Sequence, residues 1–181
     1  MLDNYKIREL TKNDLTPHLL QGFNRYQEVR RCFRQEGDAW VLKDICFTEQ
    51  WDETLKQEIV SVDFANCIHS GGTVWGVFVA NNGVIAFATL LSDFFGSNNQ
   101  YLQLMQIHVS YEQRSKGLGK RLFALCAAKA KAMGAKKLYI STHSSEESQL
   151  FYRNVGCTDA VELNRKIADY EPYDRQMEFV L

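Results

Sequence analysis

The chain has 181 residues, of which 45% are hydrophobic and 24% are charged, and its formal net charge at pH 7 is −1. One globular domain with a substantial core is expected at this length and composition. The near-neutral charge argues against broad nucleic-acid binding, which requires a basic excess, so any anion site must be a local concentration of charge.

The sequence predicts neither a membrane segment nor a metal site. No apolar run is long enough to cross a bilayer, and the stretch MLDNYKIREL lacks the apolar core of a signal peptide. The five cysteines form no CxxC motif, and their odd number is typical of reduced thiols in a cytoplasmic protein. No group of His, Cys and Asp residues has the spacing of metal ligands, so no metal is expected.

The first third of the chain predicts a short strand, a helix and an extended segment. Tyr5–Leu10 is weakly typical of a strand. Thr16 and Pro17 suit the N-cap and N1 positions of a helix, and apolar residues then recur at helical spacing to about residue 30. After a break near Gly37, the stretch AWVLKDICF predicts an extended segment.

A second helix and a β-hairpin follow. Trp51, Leu55, Ile59 and Val62 recur near every fourth residue and predict an amphipathic helix. The stretches TVWGVFVA and VIAFATLL then flank Asn81-Asn82-Gly83, and two β-rich runs around an Asn-Gly turn predict a hairpin.

The remainder alternates strands and helices. YLQLMQIHV is apolar on both faces and predicts a central strand. A helix between Gly117 and Gly134 is followed by the strand KKLYIST, and a capping box at 144–147 opens a short helix that Gly156 ends. Short strands are expected at 159–163 and 175–181. This order predicts an α/β domain with a mixed sheet, because a doubly wound dinucleotide fold would alternate strand and helix from its start.

The glycine-rich loop Arg114-Ser115-Lys116-Gly117-Leu118-Gly119-Lys120 lies between the predicted central strand and the long helix. The first amides of a helix have no intrahelical partner and carry partial positive charge, so this loop predicts a phosphate site. It is not a Walker A loop, because Arg121 stands where Ser or Thr is required. It is not a Rossmann loop, because Leu122 occupies the position of the third glycine.

The remaining pattern, R-x-x-G-x-G between a strand and a helix, resembles the pyrophosphate-binding motif of the GCN5-related N-acetyltransferases (GNAT). A second motif of that family is similar to Ser145-x-x-Ser148-x-x-Phe151-Tyr152, which ends at Gly156. The resemblance runs from about Thr73 to Gly156. It implies a GNAT-like mixed, mostly antiparallel central sheet flanked by helices, one acetyltransferase domain over residues 1–181, and acetyl-CoA as co-substrate.

The resemblance also assigns roles to individual residues. Tyr152 matches the tyrosine that protonates the departing CoA thiolate, and Ser145 stands where the family often has Asn. Backbone groups of the central strand are implied to pair with the pantetheine arm. The residues implied in cofactor binding are Ile107, Val109, Arg114, Ser115, Lys116, Gly117, Leu118, Gly119, Lys120, Ser145 and Ser148.

The general base is open at this stage. His108 points to the face opposite Ile107 and Val109, and its unperturbed pKa of ~6.5 suits a base for an incoming amine. An equally good interpretation is a structural histidine bonded to a neighbouring strand. Glu171 and Glu178 are weaker candidates.

The acceptor is expected to bind the N-terminal third, where aromatic and acidic residues are dense. The residues concerned are Phe23, Tyr26, Phe33, Trp40, Glu28, Glu36 and Asp38. Either a small-molecule or a peptide amine is compatible with them, whereas nucleic acid and membrane are not expected as partners. Homodimers are common in the family that the chain resembles. A non-catalytic CoA-binding sensor on the same fold is the alternative function, and a nucleotide-binding regulator is disfavoured by the absent nucleotide motifs.

Overall fold

Nine strands and five α-helices make up the described part of the chain, residues 5–79 and 83–181 of a computed structural model. The strands are β1 (Tyr5–Glu9), β2 (Gln27–Glu36), β3 (Ala39–Glu49), β4 (Thr73–Val79), β5 (Gly83–Leu90), β6 (Tyr101–Val109), β7 (Lys137–Thr142), β8 (Thr158–Asp159) and β9 (Arg175–Val180). The helices are α1 (Glu53–Glu58), α2 (Ala65–His69), α3 (Leu118–Met133), α4 (Glu146–Asn154) and α5 (Arg165–Tyr170). A π-helical turn, Ile59–Phe64, joins α1 to α2.

Seven strands form the central sheet in the order β1-β4-β5-β6-β7-β9-β8, and β2 and β3 form a separate hairpin. Neighbouring strands of the sheet are antiparallel except β6 and β7, which are parallel. The predicted mixed, mostly antiparallel sheet is therefore confirmed. Strands β6 and β7 pair only where Tyr101–Gln103 faces Lys137–Tyr139, and they separate beyond that point. This separation opens the middle of the sheet.

Both faces of the sheet are covered by apolar side chains. On one face, an apolar stripe of α3 packs on the strands, formed by Leu118, Leu122, Cys126 and Ala130. On the other face, Leu20 and Phe23 pack with residues from the π-helical turn and from the strands. The helix predicted after Trp51 is confirmed, and Asp52 caps it by accepting a hydrogen bond of 2.8 Å from the Leu55 amide.

The helix predicted from Thr16 to about residue 30 is wrong. Successive turns occupy this segment, in which the amides of Leu19 and Phe23 bond to carbonyls three residues earlier, and β2 begins at Gln27. The apolar spacing is real, because Leu20 and Phe23 are buried. It is satisfied by turns that lie on the sheet, and pairing of β2 with β3 fixes the residues that follow.

Three smaller predictions change at their boundaries. Pairing of β4 with β5 confirms the hairpin, while Asn81 and Asn82 of its predicted turn lie outside the described residues. The strand expected at 159–163 is only the short β8. The capping box expected from Ser144 to Glu147 does not form, because the N-cap of α4 is Ser145.

Candidate active site

The loop at the N terminus of α3 presents unpaired backbone amides. Its backbone turns through the left-handed region at Ser115 (φ 62°) and Gly117 (φ 79°). Within the described part of the chain, none of the amides of residues 115–120 donates a hydrogen bond to the protein. A Cβ atom added at Gly117 would meet nothing within 4 Å. The loop thus presents unpaired amide donors at a helix start, a geometry that suits an anion.

Gly119 is required for a different reason, which is the close approach of α4. A Cβ atom at this position would lie 3.1 Å from the ring of Phe151. The contact holds the start of α3 against the helix that carries Tyr152. The two sequence motifs therefore meet through these residues in the folded chain.

The exposed edge of β6 faces the gap left by β7. The amide of Ser110 donates to the carbonyl of Ile85 on β5 at 2.8 Å. The carbonyl of Val109 instead accepts a hydrogen bond of 3.2 Å from Nε of Arg114. Because backbone groups alternate in direction along a strand, the amides of Val109 and Ile107 face the gap. This edge therefore turns backbone donors and acceptors towards the gap, which is the geometry that pairing with an extended ligand arm requires.

A cavity of about 850 Å³ lies at the gap between the two strands. The predicted site residues that line it are Ile107, His108, Val109, Arg114, Ser115, Gly117, Leu118, Gly119, Lys120, Ser148 and Tyr152. The chain thus brings the glycine-rich loop, the edge of β6 and the α4 tyrosine to one continuous space.

Two residues expected to bind the cofactor do not line the cavity. Ser145 is fully buried, and its hydroxyl accepts from the Ser148 amide as the N-cap of α4 and donates to the Ser148 hydroxyl. Lys116 points along the outside of the loop, where its Nζ donates to Gln113 at 2.8 Å. The Ser145 hydroxyl thus serves as a helix cap and the Lys116 ammonium group is held by Gln113, while the backbone amide of Lys116 remains part of the loop.

Tyr152 lies in the cavity wall between the aromatic rings of Phe151 and Phe123, at centroid distances of 5.0 and 6.3 Å. Burial raises the pKa of its hydroxyl well above the usual value, and the thiol of Cys157 contributes in the same direction. Tyr152 is therefore a neutral phenol at physiological pH. Such a group can donate a proton to a thiolate but cannot act as a base.

His108 also lines the cavity, but its surroundings oppose the predicted role of general base. Its ring is 4.7 Å from Trp51 and 5.4 Å from Phe87. Desolvation, with the nearby Arg25 cation, lowers the pKa of its imidazole to about 3. A group of that pKa does not hold a proton near neutrality, so it is poorly matched to an alkylammonium ion of pKa ~10. His108 is better explained as a neutral wall residue.

The comparison with known proteins agrees with this geometry. A family model described as "Acetyltransferase (GNAT) family" matches residues 29–157. The chain belongs to the GNAT acetyltransferase family. A search of curated protein sequences gave no match.

GNAT enzymes of known structure share the fold over nearly the whole chain. A nourseothricin acetyltransferase superposes with a TM-score of 0.69 at 18% identity, covering 98% of both chains. A protein described as a streptothricin acetyltransferase, from Bacillus anthracis str. Ames in complex with acetyl coenzyme A, gives 0.70 at 18% identity, again covering 98% of both. A GNAT acetyltransferase from Elizabethkingia anophelis with acetyl-CoA bound gives 0.56 at 20% identity over 99% of both.

Six polar residues from other segments of the chain also line the cavity, and the sequence indicated only Glu171 among them. The six residues are Arg25, Gln27, Ser141, His143, Glu171 and Asp174. The seven aromatic and acidic residues expected to bind the acceptor are all absent from the lining. Phe23, for example, packs in the core against Phe87 at 5.3 Å. Glu178, the other carboxylate considered as a base, is buried against Tyr101 and Lys137 and does not line the cavity.

A chain of polar contacts fixes His143 at this end of the cavity. Its Nδ1 accepts a hydrogen bond of 3.2 Å from the Ser145 amide, and its Nε2 lies 3.2 Å from Oε1 of Glu49. Because Nδ1 accepts, the nitrogen that faces Glu49, Nε2, carries a proton. The hydrogen bond from His143 lowers the pKa of Glu49, whose other oxygen accepts from Arg25 at 2.9 Å. Glu49 is consequently a carboxylate with both oxygens engaged.

Among the described residues, no cluster of side chains could hold a metal ion. A search of the same residues also found no helix with the length and apolarity needed to span a membrane.

Proposed function

We propose that the protein transfers the acetyl group of acetyl-CoA to an amine by direct attack in a ternary complex. One observation carries the proposal. The unpaired amides of residues 115 and 117–120 and the neutral Tyr152 lie on the same cavity, at the gap between β6 and β7. An anion site at one end and a proton donor along the wall suit a phosphate-bearing thioester.

The residues of the loop fit the diphosphate of CoA. Backbone amides of 115–120 donate to it, and the cations of Arg114 and Lys120 add charge at the same place. The amides of Ile107 and Val109 bind the pantetheine arm, and Ser148 contacts the cofactor from α4. Bound this way, the thioester lies where β6 and β7 separate.

The reaction requires a deprotonated amine, a thioester carbonyl that is fixed in position and a proton for the leaving thiolate. A strand amide near Val109 binds the developing oxyanion, and Tyr152 gives its proton to the sulfur. Most of the rate gain comes from holding the two substrates together, because positioning supplies a large share of the barrier reduction in such reactions.

A cationic amine is the acceptor that the cavity favours. Glu171 and Asp174 line its acceptor end, and the ionised Glu49 is connected to it through His143. Proteins named as a nourseothricin acetyltransferase and a streptothricin acetyltransferase share the fold, so we include these two compounds among the candidate acceptors of the present chain. The sheet includes strands from both ends of the chain, which supports a single acetyltransferase domain over residues 1–181.

An acceptor screen tests the proposal. The purified protein is incubated with acetyl-CoA and a panel of polyamines, amine antibiotics and lysine-containing peptides, while free thiol is measured and products are identified by mass. We expect acetylated product with at least one cationic amine. Binding of acetyl-CoA by calorimetry without any product would favour a non-catalytic CoA-binding module. Absence of acetyl-CoA binding would overturn both functions.

A further inference from the structure

Asp174 lies at the acceptor end of the cavity for a topological reason. It directly precedes β9, whose first residue pairs with Thr142 at the end of β7. This is the end at which β7 has already separated from β6. The side chain of Asp174 therefore lies beside the opening in the sheet, on the same cavity as Tyr152.

Only one oxygen of this carboxylate is used by the protein. Oδ2 accepts a hydrogen bond of 3.3 Å from the hydroxyl of Ser141. That hydroxyl already accepts 2.9 Å from Nε2 of Gln176, so its own hydrogen is directed at Asp174. Within residues 5–79 and 83–181, Oδ1 accepts no hydrogen bond, and no cation lies within 4.0 Å of the carboxylate. A half-buried carboxylate with one free oxygen therefore faces the cavity.

The surroundings of Asp174 set its protonation. His143 faces it from the segment after β7, Glu49 from β3, Glu171 from its own turn and Tyr152 from α4. Desolvation raises the pKa of Asp174 to about 6, an effect that His143 opposes and Glu171 reinforces. Asp174 is thus mostly ionised at neutral pH, yet it is a stronger base than a solvated carboxylate.

The other titratable groups of the cavity are less suited to take a proton. His108 has a pKa of about 3. Both nitrogens of His143 are engaged, by the Ser145 amide and by Glu49. Glu147 and Glu171 also line the cavity, and both side chains are exposed to solvent. Asp174 alone among these groups combines a free oxygen with partial burial.

We propose that Asp174 binds the ammonium group of the acceptor through Oδ1 and accepts one of its protons. This inference rests on the proposed function. One N–H bond of the ammonium breaks and its proton moves to Asp174, which leaves a lone pair on nitrogen. That pair forms the N–C bond to the thioester carbonyl carbon.

The remaining protons are then accounted for. The C–S bond breaks with its electrons on sulfur, which takes the phenol proton of Tyr152. The second proton of the attacking nitrogen returns to the Tyr152 oxygen. The products are the amide, CoA thiol and protonated Asp174, which loses its proton to water. No oxidant, reductant or further reactant is required.

An isosteric pair of variants tests the proposal on activity. Asp174→Asn removes the proton acceptor, while Asp169→Asn removes an exposed carboxylate of α5 and serves as control. With cadaverine as the probe acceptor, we expect kcat/KM for the amine to fall about 100-fold in Asp174→Asn, a typical loss for a general base. The Kd for acetyl-CoA should change less than about twofold, because Asp174 lies at the acceptor end. Unchanged amine turnover would overturn the proposal, and loss of acetyl-CoA affinity would assign Asp174 a structural role instead.

The pH profile separates Asp174 from its neighbour His143. In the wild type, kcat/KM for the amine should decline below about pH 6, where Asp174 becomes protonated. Asp174→Asn should lack this decline. His143→Gln should keep it and move it to higher pH, because His143 lowers the pKa of Asp174. A decline that survives in Asp174→Asn and vanishes in His143→Gln would contradict the assignment.

A binding measurement makes the inference independent of turnover. The side-chain carboxyl carbon of Asp174, labelled with ¹³C and assigned by comparison with Asp174→Asn, is titrated by NMR with and without millimolar cadaverine. We expect the pKa to fall when cadaverine is added, because a bound ammonium stabilises the carboxylate. An unchanged titration would overturn the inference even in an active enzyme. A shifted titration without turnover would retain the ammonium site and reject the proposed enzymatic function.

Discussion

The two halves of the cavity are built in different ways. The cofactor half consists largely of one contiguous run, residues 114–120, and acts mainly through backbone amides. The acceptor half brings together side chains from three separate segments, around residues 25–27, 141–143 and 171–174. A ligand common to a whole family can be bound by backbone groups that need only glycine and a helix start. A variable ligand is bound by side chains, which can change without disturbing the fold.

A substitution in the glycine-rich loop of the cofactor half should have the largest effect on acetyl-CoA binding. Gly119→Glu places a side chain 3.1 Å from the ring of Phe151 and a carboxylate where the diphosphate is expected. Steric displacement and charge repulsion act together, so we expect acetyl-CoA affinity to fall more than about 100-fold, equivalent to about 2.7 kcal/mol. Isothermal titration calorimetry with acetyl-CoA measures the loss.

Ala128→Glu is the matched control for this experiment. It adds the same charge to an exposed position of the same helix, away from the loop. Affinity should stay within about twofold of the wild type, because an exposed charge at that distance is screened by salt. Retained affinity in Gly119→Glu would remove the loop from the function.

The second-largest effect on activity is expected from Tyr152, which lies in the cavity wall between the two halves. Tyr152→Phe keeps the ring and removes the proton donor, so we expect kcat to fall about 10- to 100-fold while the Kd for acetyl-CoA is unchanged. Steady-state kinetics with calorimetry separates the two quantities. Tyr170→Phe alters a side chain that is 82% exposed and should have no effect. Equal turnover in Tyr152→Phe and wild type would refute the role of acid.

In the acceptor half, Asp174 should change how the free energy of unfolding depends on pH. Folding raises the pKa of Asp174 to about 6 from its unfolded value near 3.9, so the folded state binds more protons between these values. Stability from this group therefore falls as pH rises through the interval and stays lower above it. Asp174→Asn removes the cost, and we expect it to be more stable than the wild type by about 1–2 kcal/mol at pH 8.

Thermal unfolding of both proteins at several pH values checks this prediction. The advantage of Asp174→Asn should shrink below pH 6 and vanish below about pH 3, where the wild-type carboxylate is protonated in both states. Comparing the two proteins at each pH cancels the other titrating groups. A variant that is less stable than the wild type at pH 8 would show that the carboxylate is stabilised by contacts, and would contradict the desolvated site.

The contrast between the halves also explains what the sequence could predict. Glycine positions and helix-start charges depend on local backbone needs, so the loop and the long helix could be recognised from residues 114–134 alone. His143 and Asp174 acquire their roles only when β7 and β9 pair. The spacing of these two residues in the sequence does not indicate that they lie close together in the fold. The same limit accounts for the helix wrongly predicted before β2, because the strand there is set by pairing with β3.

Ser145 is a position where the motif and the geometry differ, because the motif implies a cofactor contact whereas the hydroxyl caps α4. Ser145→Ala removes the cap of α4, and such losses cost about 1 kcal/mol of stability. The Kd for acetyl-CoA should not change, because the hydroxyl is buried away from the cavity. Ser148→Ala is the matched comparison, as Ser148 lines the cavity and should lose affinity. The opposite ranking in calorimetry would restore Ser145 as a cofactor contact.

The smallest expected effect distinguishes two lysines of the same loop. Lys120 lines the cavity, whereas Lys116 is turned outward and bonds to Gln113 at 2.8 Å. Lys120→Ala should weaken acetyl-CoA binding about threefold, equivalent to about 0.6 kcal/mol, because an exposed cation near a phosphate contributes little in water. Lys116→Ala should change affinity less than Lys120→Ala at low salt, and the difference should disappear at high salt. Equal losses from both variants would mean that only the summed charge of the loop matters, whereas a dependence on side-chain direction supports a defined phosphate position.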